Sequence, residues 1–182
     1  MKEIICLLDR SSSMSAVSIE ATSGINEFIA EQRTLGEINL NLYWFADTME
    51  VGYEGPIAKI TPIERWHYGG MTALYDAIGK TFSHVSKRFS KEKPEKVILA
   101  ILTDGFENSS KEFTATMCAN LIKEHQDKYN WDVIFLAADQ DAWDVAQHLN
   151  IRRDNAVNYA SANTYGGVMG MSATVSKSRK GQ

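Results

Sequence analysis

Three short polar stretches carry residue types that can do chemistry. Asp9-Arg10-Ser11-Ser12-Ser13 sets a carboxylate and two hydroxyls at alternate positions. Thr103-Asp104-Gly105 offers a second carboxylate, and Gly69-Gly70-Met71-Thr72 a further hydroxyl. In extended chain, alternate residues share a side, so Asp9, Ser11 and Ser13 turn one way while Arg10 and Ser12 turn the other. Carboxylate and hydroxyl oxygens are hard donors. They suit Mg2+, with Mn2+ or Ca2+ also acceptable, far better than zinc or copper. Two carboxylates do not saturate a six-coordinate dication, and Mg2+ typically keeps waters or takes oxygens from elsewhere. An acidic side chain of another protein is a natural candidate for the open position.

Each stretch alone has an ordinary explanation. A Ser-rich loop after a strand commonly caps a helix, Thr-Asp-Gly is commonly a turn, and a Thr at a helix start is a common cap. Their force lies in conjunction, which depends on the elements that hold them. Compact apolar runs at residues 3–8, 97–102 and 133–138 read as central parallel strands, apolar on both faces. Residues 38–45 alternate as a half-buried strand, 49–53 form a candidate edge hairpin with it, and 156–159 a last short strand. Between them lie helical patterns. The first carries Ala21, Ile25, Phe28, Ile29, Gln32 and Leu35, with Gly36 as a stop. The second opens near Thr72 and carries Leu74, Ile78, Phe82, Val85 and Phe89. The third is announced by Ser109 and Glu112 at capping-box spacing, followed by Phe113, Met117, Leu121 and Ile122. Residues 142–149 form a short helix, and the glycine-interrupted region from Thr164 is only weakly helical.

Strands alternating with amphipathic helices predict an α/β fold: a doubly wound, mostly parallel six-stranded sheet with one antiparallel edge strand and helices on both faces. In such sheets ligands bind beyond the carboxyl ends of the strands, where strand order reverses. All three polar stretches are expected at that edge.

These residues also carry a family resemblance. Asp9-x-Ser11-x-Ser13, the Gly-Gly-x-Thr ending at Thr72 and the Thr-Asp-Gly holding Asp104 resemble, in order and separation, the metal-ion-dependent adhesion site of von Willebrand factor A domains. The resemblance spans roughly residues 2–159, and the small intracellular bacterial or phage members are the most similar in kind. Ser12 departs from the glycine many members have, at a position that points away from the metal. The resemblance implies a Rossmann-like sheet and Ser11, Ser13 and Thr72 as hydroxyl ligands, Thr72 directly or through water. Asp9 and Asp104 would bind directly or hold coordinated waters. It implies a protein-binding module rather than a catalyst, with residues 1–160 as the domain and 161–182 as a C-terminal helix or flexible tail.

Bulk properties agree with an ordinary domain. The 182 residues include 19 Lys or Arg and 23 Asp or Glu, a net charge of −4 that gives no electrostatic reason to expect nucleic acid. Lys177, Arg179 and Lys180 form a local basic ending, read as a solvated tail. Cys6 and Cys118 read as small buried residues, without zinc-type spacing. No apolar run approaches signal-peptide or membrane-spanning length, so a soluble, reducing, cytoplasmic setting is expected, without a membrane partner.

Other polar residues are weaker candidates. Asp139 and Asp141 follow a strand and read as helix caps sooner than as a second metal site. Asp76 is expected to be solvated or to touch bound water. His67, His84, His125 and His148 lack ligand spacing. Trp66, His67 and Tyr68 either rim the metal site or pack on the core. The competing function is a magnesium-dependent phosphohydrolase with Asp9 as nucleophile. That chemistry usually needs an acid two residues on, where Ser11 cannot serve near neutral pH. A nucleotide site lacks both a glycine-rich fingerprint and a Walker-type lysine.

Overall fold

The computed structural model describes residues 1–64, 66–138 and 142–181. Asp139 and Asp141, the candidate caps, therefore lie outside the described residues. Among the described residues, six strands form one sheet: β1 (Lys2–Asp9), β2 (Asn39–Phe45), β3 (Met49–Pro56), β4 (Lys96–Thr103), β5 (Trp131–Ala138) and β6 (Ala156–Tyr159), in the order β3-β2-β1-β4-β5-β6. Only β3 runs antiparallel, paired with β2 through a bulge between Leu42 and Tyr43. β1 is central, flanked in parallel by β2 and β4. The chain winds one way from β1 to β2 and the other way from β4 onward. The reversal therefore falls between β1 and β4, where a crevice forms beyond the strand ends.

Alternation along β1 builds two cores. Ile4, Cys6 and Leu8 face α1 (Ser18–Thr34) and α5 (Thr164–Lys180), meeting Ile25, Phe28, Val168 and Met171. Ile5 and Leu7 face the other layer, where α2 (Leu74–Phe89), α3 (Ala115–Lys128) and α4 (Ala142–His148) bring Ile78, Phe82, Ile122 and Ala146. Helices thus cover both faces of the sheet. Both cysteines are buried and free. Among the described residues, no helix is long and apolar enough to cross a membrane.

Two local expectations change, those for Ser109 and Arg179, and the start of α1 and the C-terminal segment gain definition. Residues 12–17 form a 3-10 turn, so α1 begins only at Ser18. α3 does not start at Ser109: Thr114 is its cap, accepting from Met117 N, because the backbone from Ser109 to Phe113 is bound elsewhere. The glycine-interrupted ending forms a packed helix, α5, capped by Asn163 and closed by left-handed Gly181. Arg179 is not part of a solvated tail. It is buried and donates to the carbonyls of Gln32, Leu35 and Gly36, closing the end of α1. Gln32, the polar member of the first helical stripe, is fully buried and donates to Ser172 and Ser176 of α5.

Candidate metal centre

Asp9 is the last residue of β1 and is fully buried. Its Oδ1 accepts the Ser11 backbone N–H at 2.7 Å, and its Oδ2 accepts the Thr103 hydroxyl at 2.6 Å. Burial pushes the Asp9 carboxyl up to about 6, and the negative charge of Asp104 adds to that push. The hydrogen bonds from Thr103 and Ser11 act against it. An interior carboxylate under this strain gains from a nearby positive charge.

The Ser11 bond turns the chain so that the next hydroxyls gather above Asp9. Ser11 Oγ lies 3.1 Å from Ser13 Oγ, and the Ser13 hydroxyl donates to Asp104 Oδ1 at 2.6 Å. Asp104 follows β4, beside β1 in the sheet. Thr72, buried just before α2, reaches the same place. A Cβ added to Gly105 would stand 3.0 Å from Thr72 Oγ1 and 3.7 Å from Ser13 Oγ, so glycine leaves room between the three loops. All five expected site residues are brought together at the carboxyl edge of β1 and β4.

The supporting shell is largely absent from the sequence reading. Thr103 was visible only as part of its tripeptide, yet its hydroxyl orients Asp9 and also accepts from Gly105 N. Asn108 ties two loops together: its Oδ1 accepts from Thr72 N at 2.9 Å, and its N–H donates to Thr72 O at 3.0 Å. Asp47 accepts from Met71 N, and a Cβ on Gly70 would fall 2.1 Å from Asp47 Oδ2. Gly70 also has φ +88°, so both space and backbone demand glycine there.

Asp76 corrects an expectation. It is buried rather than solvated, and its carboxylate accepts the backbone N–H groups of Lys111, Glu112 and Phe113. Burial raises its pKa, but those donors and nearby Lys80 outweigh it and hold the carboxyl below its ordinary range. Glu107 accepts from Tyr75 N at the start of α2 and from the backbone of Ser109 and Ser110. Together they clasp the loop after Asp104 to α2, and this is why Ser109 does not start a helix.

Of the remaining candidates, His67 and His148 are exposed, and Trp66, His84 and His125 take structural places. Trp66 is buried, stacked on Tyr68 with ring centres 5.6 Å apart and tilted against Trp44 at 4.5 Å, so it packs on the core. His84 contacts Glu54, and His125 packs among Phe82, Tyr129 and Trp131. Among the described residues, no group of three or more His, Cys, Asp and Glu side chains forms a metal cluster. The donor set is instead two carboxylates with three hydroxyls, a combination suited to a hard divalent cation.

No protein-family profile matches the sequence, and no curated protein matches it. Solved structures do. The ArnB paralog VWA2 from Sulfolobus acidocaldarius superimposes with a TM-score of 0.61 at 18% identity, over 90% of this chain and 43% of that one. Proximal thread matrix protein 1 from the mussel byssus, with a zinc-occupied metal-ion-dependent adhesion site, gives 0.64 at 17%, over 97% and 45%. The vWF domain of the type V pili tip protein Mfa5 from Porphyromonas gingivalis gives 0.66 at 8%, over 96% and 94%. This chain spans less than half the length of the first two. The architecture is that of a Rossmann-like α/β domain with one antiparallel edge strand. Its fold is the von Willebrand factor A fold.

Proposed function

We propose that this chain is a divalent-cation-dependent protein-binding module. Asp9, Ser11, Ser13, Thr72 and Asp104 hold the ion, and an Asp or Glu of a partner protein completes its shell. The observation that carries this reading is the convergence of those five side chains from three loops at the strand-order reversal. The Ser11–Ser13–Asp104 hydrogen-bonded chain stands at its centre. Mg2+ is the expected ion, with Mn2+ or Ca2+ acceptable to the same oxygens. The zinc of the mussel protein belongs to that protein, and the preference here rests on donor hardness. The burial of Asp9 at the base of the site and the exposure of Ser13 above it support an open position that faces outward. A cytoplasmic setting is part of the proposal and is supported by the two free, buried cysteines.

The geometry disfavours the phosphohydrolase. Asp9 is fully buried and both its oxygens already accept hydrogen bonds, a poor arrangement for a nucleophile. Ser11 stands where the general acid would be needed. Affinity capture from the native host separates the readings. A partner should be retained in Mg2+, released by EDTA, and lost with Asp104→Ala. Equal recovery under all three conditions, or magnesium-dependent phosphatase turnover abolished by Asp9→Asn, would overturn the proposal.

A further inference from the structure

Two large apolar side chains close in sequence to the candidate metal centre are exposed. Phe106 is 69% exposed and Met71 50% exposed. Phe106 follows Gly105 directly, and Met71 directly precedes Thr72. Gly105 and Thr72 are in close approach, and the reciprocal Asn108–Thr72 hydrogen bonds join their loops. The two exposed apolar residues therefore lie on neighbouring loops, Met71 one position from Thr72 and Phe106 two from Asp104.

Their backbone is held. Met71 N donates to Asp47, and the residues after Phe106 are bound through Glu107, Asn108 and the Asp76 carboxylate. An aromatic ring on a fixed backbone loses little conformational entropy when a partner covers it, which is how interface anchors gain affinity. Singly exposed apolar residues are common on any protein surface. Here two large ones sit on clasped loops, each within two residues of a candidate ligand.

We propose that Met71 and Phe106 form an apolar lip that reads the residues beside the partner's carboxylate. The partner is then a protein segment in which an Asp or Glu lies within two residues of a large apolar side chain. This rests on the metal-dependent binding proposed above. The carboxylate supplies the ion's missing ligand, and the lip supplies the sequence preference.

The test is selection of a random dodecapeptide library on wild-type protein in Mg2+ with elution by EDTA, repeated on the Met71→Ser, Phe106→Ser double variant. Mn2+ binding by each protein alone is followed by electron paramagnetic resonance. Both substitutions are at exposed positions and should leave the fold and Mn2+ affinity intact. The wild-type pool should be enriched at least about tenfold in acidic residues with Leu, Ile, Met or Phe within two positions, a ratio of the size one buried apolar side chain provides. The variant pool should stay acidic but lose the apolar bias. An acidic wild-type pool without that bias, or an unchanged bias in the variant, overturns the lip alone. Failure of the wild type to bind Mn2+, or a wild-type pool without acidic enrichment, overturns the metal-dependent reading and the lip with it.

Discussion

The Ser13 hydroxyl donates to the Asp104 carboxylate at 2.6 Å, across 91 residues of chain. Ser13 follows β1 and Asp104 follows β4, and these strands are parallel neighbours in the sheet. Their register runs from Lys2 opposite Lys96 to Leu8 opposite Leu102, which delivers Asp9 and Thr103 side by side. Strand order thus assembles the site, and each residue that trims the approach of the loops should tune it.

Gly105 is the first such residue. Its Cβ in an alanine variant would meet Thr72 Oγ1 at 3.0 Å and push into the space beside Ser13. Gly105→Ala should weaken cation affinity by roughly tenfold, in the range of changes made just outside metal ligands. Thermal stability without the cation should change little, since no left-handed backbone is demanded there. Calorimetric titration with Mg2+ beside a melting curve checks both halves.

Thr103 should act through Asp9. Thr103→Val keeps the shape but removes the hydroxyl donor to Asp9 Oδ2. Cation affinity should fall by about 10- to 100-fold, and Thr103→Ser should recover most of it. Equal losses in Val and Ser variants would mean that packing, and not the hydroxyl, supports Asp9.

Asp76 should make stability pH-dependent. Its folded pKa lies below the ordinary carboxylate value, so its contribution is complete above that value and is lost as pH falls through the folded pKa. Asp76→Asn should cost about 2–3 kcal/mol at pH 7, as expected for a buried carboxylate with several backbone donors. The gap from wild type should narrow on acidification below about pH 4. Urea unfolding at pH 7 and pH 3 measures it.

Arg179 should matter to folding and not to the cation. Arg179→Met leaves the carbonyls at the end of α1 without their buried donors and should destabilise by about 2–4 kcal/mol. The Mg2+ affinity of the folded fraction should be unchanged. A large loss of affinity at intact stability would contradict this separation.

The sheet could be read from the chain because β1, β4 and β5 are buried on both faces and so write themselves as unbroken apolar runs. Asp9, Ser11 and Ser13 were legible because their spacing is local. Asp76 was not: its partners are backbone groups about 35 residues away, and nothing in its neighbours marks it as buried. Ser109 and Glu112 have the spacing of a capping box, but Glu107 and Asp76 take the N–H groups that a helix start would present. Arg179 looked like one of three tail cations because the end of α1, which it closes, is over 140 residues away. In each case a local pattern lost to a tertiary hydrogen bond.

The most direct test of the central claim is a titration of purified wild-type protein with Mn2+, followed by electron paramagnetic resonance, beside Asp9→Ala and Asp104→Ala. One bound ion per wild-type chain, displaced by excess Mg2+, with affinity lowered at least about 100-fold in both variants, is the predicted result. Wild-type protein that binds no ion, or variants that bind as tightly as wild type, would contradict it.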